Sequence, residues 1–175
     1  MIISANELSS KEEFAKVDPI KLESKLKSLE KLIRSYTHNN FQNRAVRFIA
    51  RSKGDKLFGY HPFLKAGDTI EISKSEVNDG LYVVTEINPM FTIVDTELFA
   101  VPLNCVTKIE YPEDVKEGVV NMLLWEIDNR QKVGIKSESI SRHSVTYYDQ
   151  DANNQIMGYP VSLMGFLKPY MKARF

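Results

Sequence analysis

Apolar residues in the first forty positions recur with the period of a helix. Leu22, Leu26, Leu29, Ile33 and Tyr36 are separated by four, three, four and three positions, and most residues between them are charged or polar. This spacing predicts one apolar stripe on a helix that runs to about His38. A narrow seam of this kind suits packing on one or two other helices, of the same chain or of neighbouring subunits.

Two local signals predict where helices begin in this region. Overlapping capping boxes in residues 9–13 predict a short helix over about 11–17. Asp18, followed by Pro19, has the residue types of an N-cap and a first helical position. The long helix is therefore expected to begin at Pro19.

Between about residues 41 and 112 the apolar period changes from a helical one to two. Clusters of Gly, Asn, Asp and Pro, including Asn78-Asp79-Gly80 and Asn88-Pro89, separate short β-rich runs, and Gly54-Asp55 also has turn chemistry. The predicted strands are Ala45–Arg51, Asp68–Ser73, Leu81–Glu86, Phe91–Asp95 and Val106–Tyr111. Several short strands joined by tight turns predict a small antiparallel barrel or rolled sheet.

Helical spacing returns after Pro112, which stands before two acidic residues at a predicted helix start. The expected buried face consists of Val115, Val119, Met122, Leu123 and Ile127. Further along, we predict a strand over Ser144–Tyr148 and a short helix over Val161–Lys168 that Pro169 ends.

The last nineteen positions are unusually apolar for the end of a chain, which is ordinarily frayed and polar. The segment from Met157 to Phe175 holds ten large apolar or aromatic residues. It is predicted to dock, either on its own core or on another protein. The fold class expected is α+β: a helical bundle from residues 1–40 and 112–134, an inserted antiparallel β-barrel or sheet over 41–111, and an extended C-terminal arm with a docking segment over 135–175.

Length and composition are those of a soluble globular protein with one domain, or with one domain that carries a small insertion. It has 175 residues, 43% of them hydrophobic and 26% charged. We expect no membrane association, because no apolar run approaches a membrane span and the first residues lack a signal-peptide pattern. The single cysteine, Cys105, fits a reducing compartment such as the cytoplasm.

Charge argues against a dedicated duplex-DNA binder. Lys and Arg total 23 and Asp and Glu total 23, so the basic excess that phosphate binding favours is absent. Local basic residues at Arg44, Arg47 and Arg51 leave two interpretations open, a solvated strand edge or a nucleic-acid contact of a small β-barrel. Aromatic residues for base stacking would be Phe48, Tyr60, Phe63, Tyr82, Phe91 and Phe99, although Phe48, Tyr82 and Phe91 lie in strand patterns that favour a core role.

Candidate catalytic groups are few and scattered. His38, His61 and His143 have no ligand-like spacing, and Cys105 lies in a strand-rich segment where a cysteine is usually a small core residue. No glycine-rich phosphate loop is present. We therefore expect no enzyme activity, no metal site and no cofactor.

Four stretches of the chain resemble one known protein family. They are Ile2-Ile3 with Glu7-Leu8; Lys65-Ala66-Gly67-Asp68-Thr69-Ile70 with Asn78-Asp79-Gly80-Leu81-Tyr82; Lys136-Ser137-Glu138-Ser139-Ile140-Ser141 with Ser144-Val145-Thr146-Tyr147; and Phe166-Leu167-Lys168-Pro169-Tyr170 with Arg174-Phe175. The chain is similar there to the head-tail connector (adaptor, or head-completion) proteins of long-tailed bacteriophages, especially those of Gram-positive hosts. The third stretch is the most specific.

The resemblance implies a helical bundle that assembles as a ring, commonly dodecameric, beneath the portal protein of a DNA-filled capsid. The ring would extend the DNA channel, let duplex DNA pass without specific binding, and offer a platform to a tail-side stopper or tail-completion protein. The protein would be made in the host cytoplasm and reside in the neck of the virion. The β insertion departs from the smallest members, which are nearly all helix.

The resemblance also implies roles for particular residues. An arm would include Ser137, Glu138, Ser139, Val145 and Tyr147. An anchor on the portal or on neighbouring subunits would include Tyr159, Leu163, Phe166, Leu167, Tyr170, Arg174 and Phe175.

Overall fold

A computed structural model describes residues 2–129, 137–140, 143–146, 155–156 and 158–173. Contacts divide these residues into two units. The barrel unit consists of residues 39–111 together with Ile2, and the helical unit holds the other described residues. Among the described residues, no helix combines the length and the apolar character needed to cross a bilayer.

The barrel unit is a closed antiparallel barrel of five strands. They are β1 (Gln42–Phe58), β2 (Thr69–Ser73), β3 (Gly80–Asn88), β4 (Phe91–Leu98) and β5 (Asn104–Ile109). Their order is β1-β4-β3-β2-β5, and β5 pairs with β1 to close the barrel. The prediction of a small antiparallel barrel is confirmed, and closure pairs the strand edges that an open sheet would expose.

β1 is long because it pairs with two different strands, β5 and β4, along its length. Its first half pairs with β5 as far as Ala50, and its last residues pair with β4 from Gly54 onward. Gly54 has φ +63° and begins a bulge, where the strand can bend from one partner to the other. The interpretation of Gly54-Asp55 as a turn is therefore wrong, because the left-handed glycine serves a bulge within one strand.

The barrel core is formed by the inward side chains of all five strands. Leu57, Ile70 and Val106 are fully buried, and Phe48 and Tyr82 pack partly buried at the edge of the same cluster. The ends of the unit meet as well, since the rings of Phe41 and Tyr111 lie 4.7 Å apart.

The helical unit contains α1 (Ala5–Ser9), α2 (Pro19–Thr37) and α3 (Glu113–Asn129). Asp18 caps α2 as predicted, because its Oδ1 accepts a hydrogen bond from the Ile20 amide at 3.0 Å. The apolar stripe of α2 is buried from Leu22 to Ile33.

The predicted helix over 11–17 is wrong. The first helix lies earlier, at Ala5–Ser9, and residues 12–14 form only one turn of 3-10 helix. Ser4 is the cap that operates, since its Oγ accepts from the Glu7 amide at 3.1 Å. Ser10 instead ends α1, because its hydroxyl donates to the Glu7 carbonyl at 2.7 Å.

α3 buries the predicted face except at its last position. Ile127 is 45% exposed, whereas Glu126 is 8% exposed. The buried seam runs from Val119 through Met122 to Glu126, at spacings of three and four, so Ile127 falls one position outside it. A carboxylate thus takes the inward place predicted for isoleucine.

Short elements follow α3. β6 (Ser137–Ile140) pairs with β7 (His143–Thr146), and β8 (Gln155–Ile156) pairs with β9 (Tyr159–Pro160). A 3-10 helix over Val161–Tyr170 then includes Pro169, which was predicted to end it. The described residues thus form an α+β protein that carries a closed five-stranded barrel.

Candidate functional site

The predicted anchor lies against its own helical unit. We call the described residues 158–173 the C-terminal segment. Its 3-10 helix contacts both α2 and α3, and it buries Met164 and Leu167 completely. The sequence left open whether this segment packs on its own core or on another protein. In the structure, these residues pack on the core of their own chain.

One contact of the segment requires a glycine. The Phe166 ring covers Gly118 of α3 so closely that a Cβ at position 118 would lie 2.4 Å from the ring. Glycine in a helix interior costs stability of its own, about 1 kcal/mol relative to alanine. Its presence here is explained by the close approach of the ring.

A buried polar cluster fastens the start of the segment. The Tyr159 hydroxyl donates to Glu126 Oε2 at 2.7 Å, and Lys25 of α2 forms an ion pair with the other carboxylate oxygen. The Tyr159 ring also lies 5.7 Å from the Trp125 ring, centroid to centroid. Because Glu126 is nearly inaccessible, these two partners help to stabilise its buried carboxylate, and the loss of either one should be destabilising.

A second polar contact fastens the end of the segment. The Tyr170 hydroxyl hydrogen-bonds the Asp114 carboxylate at 2.8 Å, and the Lys172 amide donates to the Thr37 carbonyl at 2.8 Å. The hydrogen bond to Asp114 raises the pKa of Tyr170 above the usual tyrosine value, with smaller contributions from desolvation and from the charge of Asp114.

The predicted docking residues therefore divide into three groups. Tyr159 and Leu167 are buried within the unit. Leu163, Phe166 and Tyr170 are half-buried, so each keeps part of its surface open to solvent. Arg174 and Phe175 lie outside the described residues. Docking of the portal or another copy by these residues stays a prediction.

The predicted arm contains a two-stranded ladder. Ser137 pairs with Thr146, Glu138 with Val145 and Ser139 with Ser144, all in antiparallel register. Tyr147 lies outside the described residues. In the described part of the chain no third strand joins this ladder, so its two outer edges carry backbone groups available for pairing. A strand at 144 was predicted, but its partner at 137–140 was missed because that run is short and polar.

The three arginines of β1 do not form one patch. Arg47 and Arg51 are four positions apart and are both exposed on the outward side of β1. Arg44 lies in a register irregularity between Asn43 and Arg47. Arg47 is occupied within the barrel face: its Nε donates to Thr107 Oγ1 at 2.8 Å and its Nη2 to Gln42 Oε1 at 3.2 Å. Two of its guanidinium nitrogens are therefore already hydrogen-bonded within the protein, which leaves fewer donors for a phosphate group.

Arg51 lies beside a shallow cleft of the barrel. Its guanidinium carbon lies 4.5 Å from the centroid of the Phe58 ring, in cation–π contact. The cleft measures about 440 Å³ and is lined by Arg51, Ser52, Lys53, Phe58, Ala100, Val101 and Pro102. Here a predicted arginine lies beside an aromatic ring and a second basic residue, Lys53.

A buried amide that the sequence did not reveal holds the wall of this cleft. Asn78 is 1% exposed, and its Nδ2 donates to Ser52 Oγ at 3.1 Å, the Phe99 carbonyl at 3.0 Å and Asn104 Oδ1 at 3.2 Å. Its Oδ1 accepts from the Phe99 amide at 2.9 Å. The loop over 99–103 is fixed in this way, although Phe99 itself is 69% exposed.

The possible catalytic groups are placed separately. Cys105 is half-buried in β5, and the His61 ring lies in the β1–β2 loop with its centroid 5.8 Å from that of Phe63. Among the residues that the structure describes, no group of three or more His, Cys, Asp or Glu side chains could hold a metal ion.

Comparison with models of known protein families gives no match, and a search among curated proteins finds no similar chain.

Proposed function

We propose that this protein is a structural component of a phage virion that forms a ring beneath the portal and connects the head to the tail. The helical unit supplies the bundle of the ring, and the segment around the β6–β7 ladder is the arm that reaches a neighbouring molecule. Partners of the ring are the portal protein, further copies of the chain and a tail-side stopper or tail-completion protein. The protein acts by binding and needs no catalytic group or cofactor.

The observation that carries this proposal is the β6–β7 ladder. It coincides with the stretch of sequence that most specifically resembles connector proteins, and it pairs with no further strand of the described chain. An isolated two-stranded ladder is at best marginally stable in water. A third strand from another molecule would bond to the open edge and stabilise the ladder by β-augmentation.

The barrel supports the proposal with a second surface. At one end of it, Phe63 in the β1–β2 loop is 70% exposed and Met90 in the β3–β4 turn is 76% exposed. Exposed apolar side chains of this size on a closed and well-packed barrel suit a protein–protein contact. In the proposed assembly this end meets a tail-side component.

The charge distribution suits a channel through which duplex DNA slides. The chain has equal numbers of acidic and basic residues, and Arg47 is held by Gln42 and Thr107. Tight phosphate binding, which grows with each neutralised phosphate, would oppose movement of the genome.

Electron microscopy of the full chain mixed with its cognate portal tests the proposal. We expect an additional ring on the portal with the wild-type chain. A variant in which residues 137–146 are replaced by a glycine–serine linker of equal length should lose this ring, while its circular dichroism and thermal unfolding still report a folded barrel and folded helices. A wild-type chain that leaves the portal unchanged at micromolar concentration contradicts the proposal.

Removal of the C-terminal segment is a poor test of docking. Because this segment buries Met164 and Leu167 and completes the Glu126 cluster, its deletion should expose apolar residues of α2 and α3 and destabilise the helical unit whatever the portal does. The linker replacement over 137–146 avoids this ambiguity.

The alternative is a small β-barrel nucleic-acid-binding module, and the cleft beside Arg51 and Phe58 favours it. Single strands bind where basic grooves carry aromatic side chains. Binding of labelled oligonucleotides at low salt would be lost in Arg51→Glu with Lys53→Glu and retained in Lys65→Glu, which lies in the β1–β2 loop. If the wild-type chain binds no oligonucleotide at low salt, this second candidate is excluded.

A further inference from the structure

The two long helices of the helical unit carry opposite charge on their solvent sides. On α2 the accessible charged residues away from the buried seam are four cations and one carboxylate: Lys21, Glu23, Lys27, Lys31 and Arg34. On α3 they are four carboxylates and one cation: Glu113, Asp114, Lys116, Glu117 and Asp128. We call the first set the basic face of α2 and the second set the acidic face of α3.

The basic face also carries an apolar residue that no described element covers. Ile20, in the first turn of α2, is 78% exposed. It lines one surface together with Ser24, Lys27, Ser28 and Lys31. Lys27 is held by Glu23 at 2.8 Å, an exposed pair four residues apart that contributes little to stability.

The acidic face contains a cleft with an apolar floor. The cleft measures about 310 Å³ and is lined by Asp114, Glu117, Gly118, Asn121, Ser162, Leu163 and Phe166. The half-buried Leu163 and Phe166 form its apolar part, and Glu117 lies exposed on its rim. An aliphatic side chain flanked by cations would match both the apolar floor and the charge of the rim.

Matching pairs of residues on the two faces are separated by the same distance along their helices. Eleven positions separate Ile20 from Lys31 on α2, and eleven separate Glu117 from Asp128 on α3. At a rise of about 1.5 Å per residue, each interval spans about 16 Å. When the two helices run in parallel, Ile20 therefore enters the cleft at Glu117 while Lys31 meets Asp128.

We infer that the basic face of α2 in one copy docks on the acidic face of α3 in the next copy of this chain, with Ile20 seated in the cleft beside Phe166. The basic face lies opposite the buried seam of α2, whereas the cleft of the acidic face lies where α3 meets the C-terminal segment, so we place the match between copies. The contact joins different surfaces of the two molecules, and its repetition gives a ring when the rotation closes and a filament when it does not. This inference deepens the proposed ring and rests on it only for closure.

Charge reversal on the full chain tests the contact, with sedimentation velocity as the readout. Lys27→Glu with Lys31→Glu should weaken self-association at least tenfold in low salt, and Glu117→Lys with Asp128→Lys should weaken it by a similar factor. Raising the salt to about 1 M, where the Debye length is about 3 Å, should weaken association of the wild-type chain. The matched control is Lys65→Glu with Glu97→Lys, both exposed on the barrel, which should associate as the wild type does.

Mixing the two reversed variants gives the sharper result. Each variant carries two faces of like charge and should associate at least tenfold more weakly than the wild type when alone, but in a mixture the acidic faces of one variant meet the basic faces of the other. Assemblies should therefore reappear with the two variants alternating. A separate variant, Ile20→Ala, should weaken association without changing its salt dependence.

The outcomes separate this inference from the proposed function. Rings that persist in both reversed variants place the contact between copies elsewhere, so they overturn the inference and leave the connector proposal standing. Association that follows the charge rules in a chain that does not bind the portal supports the inference and contradicts the connector. A wild-type chain that stays monomeric in low salt, alone and beside the portal, overturns both.

Discussion

The two units of this chain are held together in different ways. In the barrel, each of the five strands is hydrogen-bonded to two neighbours, and the inward side chains form one continuous cluster. In the helical unit, the C-terminal segment is joined to α2 and α3 mainly by individual side chains, chiefly Leu167, Phe166, Tyr159 and Tyr170.

This difference predicts different responses to damage. A closed ladder distributes stability over many backbone bonds, so a defect is shared by the whole barrel and the unit should unfold as one. A segment held by a few side chains can detach locally when one of them is lost. The helical unit should therefore contain the weaker and more separable element.

The largest effects are expected from matched truncations in the two cores. Leu57 of the barrel and Leu167 of the C-terminal segment are both 0% exposed. Leu57→Ala and Leu167→Ala should each cost about 2–5 kcal/mol, because each removes buried methyl groups and leaves a cavity. Urea unfolding combined with hydrogen exchange measures both the cost and its distribution.

The distribution of protection decides whether the two units differ. Leu57→Ala should lower protection at all five strands together, while Leu167→Ala should expose α3 amides near Gly118 and leave the barrel amides unchanged. Equal loss of protection in both units after Leu167→Ala would show that the chain unfolds as one body and would remove the distinction.

A smaller effect within the barrel is expected at Asn78. Asn78→Ala removes the two N–H donors that the Ser52 hydroxyl, the Phe99 carbonyl and the Asn104 side-chain carbonyl share, and it leaves the Phe99 amide without its partner. The expected cost is about 2–3 kcal/mol, since buried groups left unpaired retain their desolvation penalty. Amide exchange at Phe99 and thermal unfolding measure it, and Asn40→Ala, which alters an exposed amide, is the control.

If the loop over 99–103 is held by its backbone bonds alone, the two asparagine variants will behave alike. The Ser52 amide, which donates to the Val101 carbonyl at 2.9 Å, would then keep its protection in both. That result would assign the rigidity of this part of the barrel to the ladder.

The sequence predicted those parts of the fold in which a local pattern coincides with burial. The seam from Leu22 to Ile33 and the alternation from Ile70 to Ser73 appear in the structure because a helix buries one stripe and a strand buries alternate residues on one face, although Thr69 is buried as well. The five predicted strands correspond to β1–β5, although β1 extends well beyond its predicted end.

The parts that could not be predicted depend on contacts between residues distant along the chain. Glu126 takes an inward place because Tyr159, 33 positions later, and Lys25, 101 positions earlier, satisfy its charge. Asn78 reads as a turn residue, and only the closed barrel shows its amide between Ser52 and Asn104. An apolar chain end likewise has the same sequence whether it covers its own core or another protein.

Gly118→Ala should change the free energy of unfolding little on its own, but its effect should depend on whether Phe166 is present. Gly118→Ala should gain about 1 kcal/mol of helix propensity and lose a similar amount when its Cβ displaces the ring. With Phe166→Ala already present, the same change should stabilise the helix by about 1 kcal/mol. The double-mutant cycle, measured by urea unfolding, should therefore give a coupling of about 1 kcal/mol or more. Additive changes would mean that the ring moves aside at no cost and that the close packing does not secure the C-terminal segment.

The smallest expected effect concerns the pH dependence of the contact between Tyr170 and Asp114. The pKa of Tyr170 is raised in the folded protein, mainly because its hydroxyl donates to the Asp114 carboxylate. A raised pKa means that the folded state holds the phenolic proton more tightly than the unfolded state.

The contribution of this hydrogen bond to folding stability is therefore complete below the ordinary tyrosine pKa, about 10, and is lost as the pH rises through the higher folded value. The ultraviolet absorbance of tyrosinate, compared between the wild-type chain and Tyr170→Phe, should show one group that titrates late and is missing from the variant. If the tyrosine lost in the variant titrates at the ordinary pH, the end of the C-terminal segment is held by the Lys172 amide and by packing instead, and the helical unit depends on one polar contact fewer.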